Sequence, residues 1–167
     1  MPVTEKKPAM HATRNDMPER VRQSAAALCD ARLADAIDVM LQAKHAHWNV
    51  RGPQFFQLHK LFDKVHEEMV EYVDTIAERA AQFGAEVHGT IRSAAQRSNI
   101  PEYPAGVVDG MKHVEALSTA LANLGELVRK AIDDANELND AGTADVFTEV
   151  SRGVDQLRWF VEAHTHM

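Results

Sequence analysis

Five residues carry the side chains and spacings of metal chemistry: His47, His59, Asp63, Asp74 and Glu78. Imidazole and carboxylate donors together suit iron or zinc much better than calcium or magnesium, which take oxygen donors. His59 and Asp63 stand four residues apart, as do Asp74 and Glu78, so on a helix each pair shares a face. The 11 residues from Asp63 to Asp74 leave a net rotation of only ~20°, so both pairs look out of one side. Three of these residues follow an apolar position by one (Leu58–His59, Phe62–Asp63, Val73–Asp74), an offset of ~100° around the helix. They flank the apolar stripe, where another chain could pack.

Distance decides how a site can close. At the helical rise, Asp63 and Asp74 lie ~16 Å apart, whereas metal–ligand bonds are only ~2 Å long. One ion cannot touch both pairs of one straight helix. Either the chain carries two half-sites, or the site closes across two chains. An antiparallel two-fold contact would set His59 and Asp63 of one chain against Asp74 and Glu78 of the other, with its axis near Glu67 and Val70. The plainer reading of each residue alone is a solvated helix surface. Asp74 and Glu78 repel unless something positive lies between them, and Arg79 is placed to neutralise them. No Glu is followed three residues later by His, which disfavours a di-iron centre built inside one bundle.

The elements that must hold these residues are helices. Residues 1–15 are polar, contain Pro2 and Pro8, and show no periodicity, so they read as a flexible N-terminal arm. A domain over 16–167 follows. Its first helix starts around Asp16 and Pro18 and runs to about Val50, with Leu33, Ile37, Met40, Leu41 and Lys44 on one stripe. Gly52-Pro53 breaks it. The second helix runs to about Phe83 on Leu58, Leu61, Phe62, Val65, Met69, Val73, Ile76 and Ala80, and Gly84 is its natural stop. Residues 85–106 hold Gly89, Pro101, Pro104 and Gly106, a long crossover with room for a short helix at Thr90–Arg97. Two more helices follow, about Val108–Leu138 and Thr143–Ala163. The expected fold is all-α, a four-helix bundle with ferritin-like connectivity and a short helix in the crossover.

Composition agrees. With 45% hydrophobic and 26% charged residues, the chain is an ordinary globular domain. No apolar run approaches the roughly 18 residues of a membrane span, and the N-terminus lacks the apolar core of a secretory signal. The single cysteine, Cys29, excludes an intrachain disulfide and reads as a small buried residue in a reducing cytoplasm. Net charge is −7, spread unevenly: residues 1–22 carry +2 and the remainder −9. The acidic body repels nucleic acid and attracts cations; only the tail could do the opposite.

At the site residues the sequence resembles a known family. His47-Trp48-Asn49-Val50-x-Gly52, continued by Leu58-His59 and Asp63, is similar to the signature of the DNA-protection-during-starvation (Dps) proteins. Asp74-Thr75-Ile76-Ala77-Glu78-Arg79 with Phe83-Gly84 resembles their second signature. Pro101-Glu102-Tyr103-Pro104, Ala144-Asp145 and Leu157-x-Trp159-Phe160-x-Glu162 also fit, so the resemblance covers residues 20–164. It implies a hollow dodecamer whose two-fold interfaces oxidise iron(II), preferentially with hydrogen peroxide, and store it as ferric mineral. Iron is then the metal. His47, His59 and Asp63 would come from one subunit, with Asp74 and Glu78 of the partner subunit. Trp48 would sit beside them, either intercepting oxidising equivalents or packing as an interface aromatic.

The resemblance also implies an acidic pore through which iron is admitted, with Asp140 and Asp145 as candidates. They lie in a stretch without Lys or Arg from Ala131 to Phe147. The plainer alternative is a helix N-terminus favouring acids. A competing function is a DNA-compacting nucleoid protein, with Lys6, Lys7 and Arg14 of the arm on phosphates and iron secondary. A third is a zinc-binding or purely structural helical assembly.

Overall fold

In the computed structural model of the protein, residues 9–165 are described. They form five helices: α1 Glu19–Asn49, α2 Phe55–Gln82, α3 Ile91–Arg97, α4 Gly110–Glu137 and α5 Ala141–Glu162. The long helices pair as α1 with α2 and α4 with α5 across short turns. α1 then packs on α4, and α2 on α5, to close a four-helix bundle. α3 lies in the crossover that carries the chain from α2 to α4, against α1. The only β pairings among the described residues are two isolated bridges, Met10 with Ala85 and Arg51 with Asp109. No described helix is long and apolar enough to cross a membrane.

The core follows the apolar stripes. Leu58, Phe62, Val65, Met69 and Ile76 of α2 meet Leu117, Leu121, Leu124 and Val128 of α4 and Phe147, Val154 and Leu157 of α5, all fully buried. α1 departs from a one-sided stripe. Ala25, Ala26, Ala34, Ala36, Ala43 and Ala46 are buried without residue, because the bundle covers one side of α1 and the crossover another. Alanine lets both approach closely. Leu41, which the stripe places in the core, is instead 40% exposed; the buried face of α1 runs through Val39, Ala43 and Ala46. Cys29 is fully buried, and burial pushes its thiol up to about 12, so it stays protonated and inert.

Polar side chains on the outer face of α1 fasten the crossover. Asp30 accepts from the backbone N–H of His88 at 3.0 Å and from Arg97 at 2.7 Å. Asp35, fully buried, pairs with Arg32 at 2.8 Å and accepts from the Asn99 N–H at 2.7 Å. The Ser98 hydroxyl donates to Asp38 at 2.6 Å, and Gln42 donates to the Pro101 carbonyl at 3.0 Å.

Gly84 ends α2 with φ +84, and a Cβ there would meet the His11 carbonyl oxygen at 2.5 Å. The close approach exists because His11 donates to the Gly84 carbonyl, while Glu86 donates to the Ala9 carbonyl at 2.8 Å. Residues 9–11, read from sequence as part of a flexible arm, are thus hydrogen-bonded to the turn after α2. Lys6 and Lys7 lie outside the described residues.

Candidate metal centre

The short connection between α1 and α2 brings the last turn of α1 beside the first turns of α2. His47 and His59 meet there, their rings stacked 3.7 Å apart and within 20° of parallel. The His47 Nδ1–H donates to the His59 carbonyl at 2.7 Å, and the His59 Nδ1–H donates to the His47 carbonyl at 2.8 Å. A carbonyl can only accept, so this reciprocal bond fixes both tautomers. In the neutral rings each Nε2 keeps a lone pair, and neither is engaged among the described residues. Metal-binding histidines are oriented in this way, with one nitrogen held by a backbone acceptor and the other left to coordinate.

Asp63 lies one turn beyond His59 on α2, its Oδ1 3.9 Å from His47 Nδ1. Lys44, one turn before His47, reaches the same oxygen at 2.5 Å. The Lys44 hydrogen bond holds the Asp63 carboxyl below its usual range, against desolvation and with help from His47 and His66. A cation taking Oδ1 of Asp63 must displace the Lys44 ammonium, whereas the second carboxylate oxygen has no hydrogen-bond partner among the described residues. Sequence reading placed Lys44 only on the helical stripe; its position three residues before His47 was the available signal.

That ion pair sets a pH dependence. A carboxyl with a depressed folded pKa adds stability above its unfolded value, and the contribution is lost as pH falls through the folded value. The pair is about one-quarter exposed, so the contribution is modest, about 0.5–1 kcal/mol. Wild type should therefore exceed Lys44→Met in urea midpoint at neutral pH. The gap should close as pH drops below about 4. Equal midpoints at neutral pH would contradict this.

Asp74 and Glu78 lie on the outer side of α2, both exposed, and form no ion pair among the described residues. Arg79, which sequence spacing assigned to neutralise them, turns away. Its guanidinium pairs with Asp140 at 3.0 Å, donates to Thr143 at 2.9 Å and lies over the Phe83 ring at 4.4 Å. The two carboxylates therefore keep their repulsion. Among the described residues of one chain, no three His, Cys, Asp or Glu side chains converge on a metal position. Apolar side chains around the two pairs face outward: Trp48 is 69% exposed, Phe56 67%, and Val70, beside exposed Glu67, 40%.

Asp140 is corrected as a pore residue. It is only 3% exposed and caps α5, accepting from the Thr143 N–H at 3.0 Å while pairing with Arg79. Its carboxylate is committed to the fold within the chain. Asp145 is exposed on the first turns of α5.

The ferritin-like domain model matches residues 26–166. The DNA protection during starvation protein of Agrobacterium fabrum is 37% identical over 154 residues, covering 92% of this chain and 95% of its own. Among solved structures, Dps from Microbacterium arborescens in the high iron form superposes with a TM-score of 0.82 at 32% identity, over 89% of this chain and 96% of that one. DpsA14 from Streptomyces coelicolor gives 0.89 at 28% identity, over 95% and 94%. With the bundle, the crossover helix and this relationship in place, the chain belongs to the ferritin-like family and, within it, to the DNA-protection-during-starvation proteins.

Proposed function

We propose that this chain is the subunit of a shell, a dodecamer, that oxidises iron(II), preferentially with hydrogen peroxide, and stores the product as ferric mineral. The observation that carries this reading is the reciprocal His47–His59 bond, which readies two imidazole nitrogens beside Asp63 while Asp74 and Glu78 stand unneutralised on the same helix. Each half is incomplete, and an antiparallel two-fold contact through Glu67 and Val70 would join them. The exposed apolar side chains around both halves supply surface for that contact. The relative from Microbacterium arborescens, described in a high iron form, supports iron as the substrate metal.

The ligand chemistry fits the reaction. Carboxylates are hard donors and stabilise iron(III) over iron(II), which eases electron loss. Hydrogen peroxide accepts two electrons, one from each of two iron(II) ions, and releases no hydroxyl radical when both are supplied together. Iron storage and protection of nearby DNA then become one activity. Exposed Trp48 stands beside the ligands. Asp145 remains the pore candidate. Direct contact with DNA would run through the basic arm, where Arg14 is exposed. We place this activity in a reducing cytoplasm, the simplest setting for a chain with one buried cysteine.

His47→Ala or Glu78→Ala should slow peroxide-driven iron(II) oxidation by about tenfold or more, the loss of at least ~1.4 kcal/mol of barrier lowering. Glu78 is exposed and His47 lies at the end of α1 outside the buried core, so the shell should still assemble, as judged by particle size. Wild-type rates in correctly sized shells of both variants would overturn the assignment.

A further inference from the structure

A second constellation lies outside the ligand pairs. Tyr103, between the crossover prolines, and His113, in the first turn of α4, meet with Tyr103 Oη 2.6 Å from His113 Nδ1. His113 is fully buried, and its Nε2 has no hydrogen-bond partner among the described residues. The Phe62 ring lies 6.2 Å from the imidazole. Burial holds the His113 imidazole below its ordinary value and lifts the Tyr103 phenol well above its own. The resting pair is therefore a neutral phenol and a neutral imidazole, and in the tautomer with Nδ1 unprotonated the phenol donates to it. The carbonyls of Asn49 and Val107, close to the ring, favour a proton arriving on it.

We propose that Tyr103 is a redox-active tyrosine, giving one electron to an oxidant while its phenolic proton passes to His113 Nδ1. The oxidant class is a one-electron acceptor such as hydroxyl radical, which leaves as hydroxide. The products in the protein are a neutral tyrosyl radical and a histidinium. A small one-electron reductant reverses the step, and the proton returns from His113 to the phenoxide oxygen. An open groove of about 480 Å³, lined by Tyr103, Pro101, Pro104, Lys112 and Glu115 among others, gives such a reductant access.

Position connects the pair to the ligands. The ring contacts run from Tyr103 to His113 at 5.9 Å and from His113 to Phe62, the chain neighbour of Asp63. On the other side His45 meets the Tyr103 ring edge-on at 5.0 Å, on the same helix as His47 and Trp48. Among the described residues the chain's other tyrosine, Tyr72, hydrogen-bonds only the Glu68 carboxylate, at 3.5 Å. Both tryptophans are largely exposed. Tyr103 alone among these four rings has a buried base in short contact. Its use in disposing of stray oxidising equivalents rests on the ferroxidase reading; its redox chemistry does not.

The test therefore supplies the oxidant by light. Metal-free shells are flashed with ruthenium tris-bipyridine and persulfate, and the neutral tyrosyl radical is followed by electron paramagnetic resonance. The radical should persist in Tyr72→Phe and fall at least tenfold in Tyr103→Phe. In wild type it should show an exchangeable proton coupling from His113, and in His113→Phe its formation should slow at least tenfold. A radical retained in Tyr103→Phe, or lost in Tyr72→Phe, would overturn the proposal. So would a wild-type radical without the exchangeable coupling, a reading that does not require the His113 variant to fold.

Discussion

Shells that mix two inactive subunits should regain activity that neither has alone. One partner carries His47→Ala and His59→Ala, the other Asp74→Ala and Glu78→Ala. Shells of either variant by itself have no complete ligand set. At a mixed two-fold interface one site receives both damaged halves and the other receives both intact halves. With random equal mixing half of the interfaces are mixed, so about a quarter of wild-type sites should return. The ~16 Å between the pairs on one helix forbids an intrachain alternative. The measurement is peroxide-driven iron(II) oxidation in shells whose mixed composition has been verified. No recovery in such shells would show that the two halves do not meet across an interface.

Arg79→Ala should be among the most damaging single substitutions for stability. It strands the carboxylate of Asp140, which is 3% exposed and receives the guanidinium at 3.0 Å. Removing one member of a buried pair typically costs about 3–5 kcal/mol, because the other charge stays desolvated. For a chain of this size each kcal/mol lowers Tm by roughly 2–4 °C, so a fall of about 6 °C or more is expected. Asp140→Asn should cost less, since asparagine still accepts from the Thr143 N–H as a helix cap. The variants must be compared at equal protein concentration, because assembly shifts apparent stability. A smaller effect for Arg79→Ala than for Asp140→Asn would reverse the argument.

The helices were legible in the sequence because they depend on period alone, and the candidate ligand residues stood out by their types and spacing together with the family resemblance. The stripes of α2, α4 and α5, the break at Gly52-Pro53 and the stop at Gly84 are local signals. The failures concern residues whose role depends on a partner far along the chain. Arg79 stands next to Glu78 in sequence, yet Asp140, 61 residues on, takes its charge. Asp140 looked like a pore acid for the same reason: an acidic stretch does not reveal which carboxylate is buried as a cap. Leu41 was read into the core because α1 was given one buried side, whereas the crossover gives it a second. The reciprocal bonds of His47 and His59 need the two helices in register before either carbonyl is within reach.

The fastening of the crossover to α1 carries a consequence for the order of folding. Asp30 and Asp35 sit on α1, but their acceptor oxygens are matched by His88, Arg97 and Asn99, 58 to 67 residues later. A hairpin of α1 and α2 alone can bury its apolar seam, yet it must leave that second face of α1 in water. Drying the face early would bury Asp30 without its partners, and an unpaired buried carboxylate is far more costly than a solvated one. Docking of residues 88–101 is therefore expected late in folding, as the step that commits α1 to the native state. Substitutions at Arg97 should then mainly speed unfolding, while those in the Leu58–Met69 seam should also slow folding.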